Sequence, residues 1–192
     1  MFENIIKNVH NRHPLIHCIT NYVSINDCAN IVLACGGAPI MAEDINEVSQ
    51  ITSICQGLDI NIGMLNDNKL SSMLKAGATA NELGIPVILD PVGAGSSDYR
   101  IKAVQNLMSN VQFGVIRGNV SEIKAIAAKQ GIHNIAAGVY ETMQKNKSAM
   151  GVEAGIADKI TDDNIKEMAD FINKLSQKTG AVIAVTGGID MV

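Results

Sequence analysis

The chain has no tryptophan and only three Phe and three Tyr in 192 residues. With so few rings and no Lys/Arg cluster, neither a stacking array nor a phosphate-binding patch for nucleic acid is present. Long apolar runs are also missing. A membrane span needs about 18 uncharged apolar residues, and the cleanest stretches here, Pro86 to Leu89 and Ala181 to Val185, are strand-sized. Charge of one sign is scarce: 15 Lys+Arg face 19 Asp+Glu. With 47% hydrophobic residues, that balance excludes disorder over most of the chain. Residues 1–12 set Glu3, Lys7, His10 and Arg12 among apolar neighbours and lack the unbroken apolar core of a signal peptide. The expected location is therefore the cytoplasm. Cys18, Cys28, Cys35 and Cys55 form no C-x-x-C pair; the spacing supports no zinc or redox motif, and reduced core thiols are expected. His13 and His17 are four apart, but Pro14 breaks the helix that a metal pair at this spacing would need. No G-x-x-x-x-G-K-[ST], G-x-S-x-G, H-E-x-x-H or EF-hand loop occurs.

What is present is alternation. Nearly continuous apolar runs at Pro14–Ile19, Ala38–Met41, Asp59–Ile62, Pro86–Leu89, Phe113–Ile116 and Ala181–Val185 read as strands covered on both faces. Helical patterns lie between them at Ser24–Ala34, Asn46–Cys55, Lys69–Leu83, Asp98–Met108, Val120–Lys129 and Asp163–Lys178. The last is the clearest, with Ile165, Met168, Phe171, Ile172 and Leu175 on one face. Gly131–Ile160 reads poorly, with a weak helical patch at Val139–Lys145. The pattern predicts one α/β domain over residues 1–192, with a mainly parallel central sheet flanked by helices on both faces. Six strands in this length are too few for an eight-fold barrel. Right-handed crossovers bring the loops after the strands to one edge of the sheet, where ligands bind in such folds.

Five motifs fall at those strand ends. Asp90-Pro-Val-Gly-Ala-Gly95 offers a carboxylate suited to Mg2+ or its waters, and glycines that let backbone N–H groups approach an anion. Its plainer reading is a strand-to-helix loop with an Asx turn. Arg117-Gly-Asn-Val-Ser-Glu122 offers a guanidinium fork for phosphate and a second carboxylate; the plainer reading is a capping box. Thr186-Gly187-Gly188 can lie under a nucleotide or simply turn. Thr20 and Asn21 can bind a ligand or cap the helix from Ser24. Met41 can line a heteroaromatic pocket or sit in the core.

The order His17-Cys-Ile-Thr-Asn21, Gly37-Ala-Pro-Ile-Met41, Asn61-Ile-Gly63, Leu89-Asp-Pro-Val-Gly-Ala-Gly95, Ile116-Arg-Gly-Asn-Val-Ser-Glu-Ile123 and Ala184-Val-Thr-Gly187 resembles the hydroxyethylthiazole kinase family, within the ribokinase-like superfamily. The resemblance runs along the chain apart from Gly131–Met150. It implies a ribokinase-like fold and transfer of the γ-phosphoryl of ATP, with Mg2+, to the hydroxyl of 4-methyl-5-(2-hydroxyethyl)thiazole in thiamin salvage. It also implies a homotrimer. By motif match, Asn21, Val23, Met41 and Gly63 line the thiazole pocket, Arg117 and Thr186 meet ATP, and Asp90 and Glu122 organise Mg2+.

The chain departs from the family pattern in three places. Met64 stands where the family usually has Thr, and Gly188 where it often has Glu. The family's Gly-rich stretch ending in Cys, which forms the anion hole beside the substrate hydroxyl, has no counterpart in these residues. The expectation is therefore a domain truncated at its C-terminus, with the catalytic residue unassigned. Two alternatives follow: a fragment that binds thiazole or nucleotide without transfer, and a ribokinase-like kinase of another small alcohol.

Overall fold

The computed structural model of the chain describes residues 2–131 and 160–192. In order, its elements are α1 (Phe2–Arg12), β1 (Leu15–Ile19), α2 (Ile25–Ala34), β2 (Ala38–Ile40), α3 (Val48–Ser53), β3 (Gly57–Asn61), α4 (Asp67–Glu82), β4 (Val87–Asp90), α5 (Asp98–Asn110), β5 (Val115–Asn119), α6 (Val120–Lys129), α7 (Ile165–Thr179) and β6 (Val182–Thr186). The strands form one six-stranded sheet in the order β2-β1-β3-β4-β5-β6. β1 pairs in parallel with β2 and β3, and β5 with β6. The expected α/β fold is present, and the sheet is open, with β2 and β6 as its edges. No helix among the described residues is long and apolar enough to cross a membrane. The patch at Val139–Lys145 lies outside the described residues.

The chain divides into two compact units. The first comprises Met1–Ile88 with Asn110–Gln112. Its core is Ile19, Leu58, Ile60, Ile62, Met73, Ala76 and Val87, all essentially without solvent contact. The chain enters the sheet at β1, steps outward to β2 and returns past β1 to β3. This reversal is a topological switch point, and the crevice beyond the strand ends there is where such sheets take ligands. The second unit comprises Leu89–Ser109 with Phe113–Val192. Its core is Leu89, Leu107, Ile116, Ile123, Phe171, Leu175 and Ile183. Met168, Phe171, Ile172 and Leu175 of α7 are buried at the expected helical spacing, and α7 packs on β6. Gly180 ends that helix in the left-handed region (φ 72°), a conformation that costs glycine no Cβ clash.

Three expectations need correction. First, α1 forms where no element was anticipated. In its sequence Phe2, Ile5, Ile6 and Val9 recur at helical spacing, and Ile5 and Ile6 are 52% and 57% exposed. Second, β5 runs through Arg117-Gly118-Asn119, past the predicted end at Ile116, because its parallel register continues to Asn119 opposite Thr186. The ladder, not hydropathy, sets where that strand stops. Third, only Cys18 and Cys55 are buried core thiols; Cys28 is half-buried and Cys35 exposed. After β6 the chain folds back, and Val185 and Met191 make an antiparallel bridge.

His17 is not a metal ligand beside His13. It is fully buried, with Nε2 2.8 Å from the Ala42 carbonyl and Nδ1 2.9 Å from Thr52 Oγ1. Burial lowers its pKa below 6.5, outweighing the Ala42 bond and the Glu47 charge. Between the lowered value and 6.5 the unfolded chain binds more protons than the folded one, so stability falls as pH drops below about 6.5. Urea titrations from pH 7 to 5 should show wild type losing stability faster than His17→Asn. Parallel pH profiles would contradict this.

Candidate functional site

In the second unit β4 ends on Asp90, and residues 91–97 turn back toward α5. Gly93 adopts φ +66°. The Ala94 N–H donates to the Pro91 carbonyl and the Ser96 N–H to the Gly93 carbonyl, each at 2.9 Å. Arg100 Nη1 donates to the Val92 carbonyl at 2.9 Å. Glu122, in the first turn of α6, fastens this loop: its Oε1 accepts the Gly93 N–H at 2.9 Å and its Oε2 the Asn119 N–H at 2.8 Å. Asn119 Oδ1 returns the bond from the Glu122 N–H at 2.9 Å, which completes the capping box. Burial raises the Glu122 pKa. The Gly93 and Asn119 amides oppose that, the Asp90 charge adds to it and Arg117 opposes it, leaving the carboxyl above its ordinary value.

Arg117 projects from β5 with its side chain about half exposed and pairs with Asp90 Oδ2 at 3.2 Å. Thr186 ends β6 opposite Asn119, with Oγ1 3.4 Å from the Gly118 carbonyl. A Cβ at Gly118 would lie 3.0 Å from Glu122 Oε2, so the residue's small size is what admits the carboxylate. Asp90, Arg117 and Glu122 thus meet as the motifs anticipated, with Thr186 one strand over. Two carboxylates and a partly free guanidinium form a donor set of hard oxygens with a phosphate fork beside it. This chemistry would suit Mg2+, which typically takes one or two carboxylates and fills its other positions with water and phosphate oxygens.

In the first unit the candidates gather at the switch point. Asn21, just beyond β1, accepts the Ser24 N–H at 3.0 Å and donates through Nδ2 to Asn61 Oδ1 at 3.2 Å. That same oxygen accepts the Gly63 N–H at 2.8 Å. A Cβ at Gly63 would lie 2.9 Å from Asn61 Oδ1 and 3.0 Å from Asn21 Nδ2, so any larger residue must push one of these amides aside. Asn21 and Gly63 are therefore brought together through Asn61. Met41 follows β2 directly and is half-buried. Val23 is 94% exposed and joins none of these bonds.

The motif reading passed over one group here. Lys69 is buried; its Nζ donates to the Thr20 carbonyl, pairs with Glu43 Oε2 at 2.8 Å and lies 4.8 Å from the Tyr22 ring centroid. Tyr22 also donates its hydroxyl to Glu43. Burial would raise the Glu43 pKa, but the bonds from Lys69 and Tyr22 outweigh it and hold the carboxyl below its ordinary value. One signal was available: Lys69 shares the buried face of α4 with Met73, Ala76 and Ala80, and a lysine on an apolar face needs a partner.

Comparison with known proteins adds a family. The hydroxyethylthiazole kinase family model matches residues 6–192. The hydroxyethylthiazole kinase of Clostridium acetobutylicum is 52% identical over 192 residues, covering 100% of this chain and 64% of that protein. That of Desulfovibrio desulfuricans is 45% identical over 192 residues, covering 100% of this chain and 62% of its own. A solved structure, described as a hydroxyethylthiazole kinase protein from Pyrococcus horikoshii OT3, superposes with a TM-score of 0.78 at 30% identity, covering 97% of this chain and 61% of that one. The chain thus spans a little under two thirds of the length of these relatives.

Proposed function

Because the chain belongs to the hydroxyethylthiazole kinase family, we propose that it carries the acceptor-binding and nucleotide-binding residues of a kinase for 4-methyl-5-(2-hydroxyethyl)thiazole, acting in thiamin salvage with Mg-ATP. The observation that carries this reading is the clamp of Glu122 on Gly93 beside the Asp90–Arg117 pair. Phosphoryl transfer asks for positioning and charge neutralisation more than for covalent help, and this cluster supplies both kinds of group. Asp90 and Glu122 would hold Mg2+, directly or through its waters. Bound there, the ion would offset phosphate charge. Arg117 can turn from Asp90 to offer its fork to phosphate oxygens, and Thr186 offers a hydroxyl.

In the first unit Asn21, held by Asn61, presents a polar edge to the thiazole alcohol, and Met41 a soft apolar one. Family resemblance implies a homotrimer, and exposed Val23, Ile31 and Leu33 offer an apolar surface that a neighbouring copy would cover. The location we propose is the cytoplasm, where ATP is at hand. Gly63→Ala should force Asn21 from Asn61 and weaken the thiazole alcohol about tenfold, near 1.4 kcal/mol, with Mg-ATP affinity unchanged by calorimetry; equal affinities for the alcohol in the two proteins would contradict it. The reaction itself is tested by ADP release from Mg-ATP by the purified chain. Release that requires the thiazole alcohol supports the reading. Release with other small alcohols at an equal rate overturns it, as does the absence of both release and any thermal stabilisation by the thiazole alcohol or Mg-ATP.

A further inference from the structure

Three potential ligands come together in the first unit from elements far apart in sequence. Cys18 lies in β1 directly opposite Asp59 of β3 in the parallel register, and Cys28 lies in the first turns of α2. The two sulfurs and a carboxylate oxygen all lie within 4.8 Å of one another. Cys18 is buried, whereas Cys28 and Asp59 are half-buried, which leaves a way in from solvent.

We propose that Cys18, Cys28 and Asp59 form a binding site for a borderline-soft divalent cation of the Zn2+ class. Zn–S bonds of about 2.3 Å and Zn–O bonds of about 2.1 Å in a tetrahedron put ligand atoms roughly 3.5–3.8 Å apart, so the side chains need close in by only about 1 Å. Two sulfurs and one oxygen select zinc or cobalt over magnesium and calcium, which prefer all-oxygen sets. Three protein ligands leave a fourth position for water.

Binding would displace the thiol protons and tie β1, β3 and α2 together. The segment it would close, residues 19–27, includes Asn21 and Val23. The inference does not depend on the kinase reading, since it concerns the ion alone.

Co2+ is the probe, titrated into the full chain with its thiols reduced. The expected result is one equivalent bound, with a near-ultraviolet thiolate charge-transfer band and the visible bands of tetrahedral cobalt, both abolished by Zn2+. Cys28→Ser should roughly halve the charge-transfer intensity. Asp59→Asn, nearly the same shape and therefore the variant that guards against misfolding, should keep the band but weaken binding about tenfold or more. Cys35→Ser, outside the cluster, should match wild type. Absence of the band in wild type, a Cys18–Cys28 disulfide in its place, full intensity in Cys28→Ser, unchanged affinity in Asp59→Asn, or loss of the band in Cys35→Ser would each overturn the proposal.

Discussion

Glu122→Ala should lower stability by about 3 kcal/mol and remove the stabilising effect of Mg-ATP. The carboxylate holds two backbone amides, Gly93 N–H at 2.9 Å and Asn119 N–H at 2.8 Å, one through each oxygen. A hydrogen bond to a charged acceptor contributes about 1.5–3 kcal/mol. Two lost bonds are partly offset because burial of the carboxyl is itself unfavourable, as its raised pKa records. In a chain of this size the net loss corresponds to a fall in Tm of roughly 6–12 °C. The Gly93 turn would lose its tie to α6, and with it the shape of the loop that follows Asp90. Glu122→Gln keeps one acceptor but points an N–H at the other amide, so it should recover less than half of the loss. Urea denaturation with and without Mg-ATP checks both claims. A change below about 0.5 kcal/mol for Glu122→Ala would show that the clamp contributes nothing.

Lys69→Met should cost about 2 kcal/mol and weaken the thiazole alcohol about tenfold without weakening Mg-ATP. Removing one member of a buried ion pair typically costs about 3–5 kcal/mol. The figure is reduced here because the Glu43 side chain is 41% exposed and can be rehydrated. The functional effect has a different cause. Lys69 anchors the Thr20 carbonyl, next to Asn21, and lies over the Tyr22 ring. Methionine keeps the buried stem but releases this loop. Equal loss of both ligands would point to general unfolding, and unchanged affinity for the alcohol would show that the loop keeps its place without Lys69.

The strands and most helices were legible because burial on both faces leaves continuous apolar runs, and because α7 spaces its buried residues at helical intervals. The plain readings of two motifs are present, and in each the same side chain makes a second bond beyond the cap. Glu122 closes the capping box with Oε2 and holds Gly93 with Oε1; Asn21 accepts the Ser24 N–H with its oxygen and meets Asn61 with its nitrogen. Each side chain has two polar atoms, and a motif describes only one of them. What stayed hidden depends on long-range placement. The Lys69–Glu43–Tyr22 group and the Cys18–Cys28–Asp59 cluster join residues whose sequence spacing carries no signature. The spacing of Phe2, Ile5, Ile6 and Val9 does signal α1, whereas the polar end of β5 carries no hydropathy signal because its partner strand extends it.

In the proposed division of labour, Asn21 and its network take the thiazole alcohol, and Asp90, Arg117 and Glu122 take Mg-ATP. Thermal unfolding of the chain with each ligand, in wild type, Asn21→Ala and Arg117→Ala, tests it most directly. Both ligands should raise the wild-type Tm by mass action. The alcohol should stabilise Arg117→Ala but not Asn21→Ala, and Mg-ATP should stabilise Asn21→Ala but Arg117→Ala far less. No stabilisation of wild type by either ligand, or identical responses from the two variants, would contradict the account.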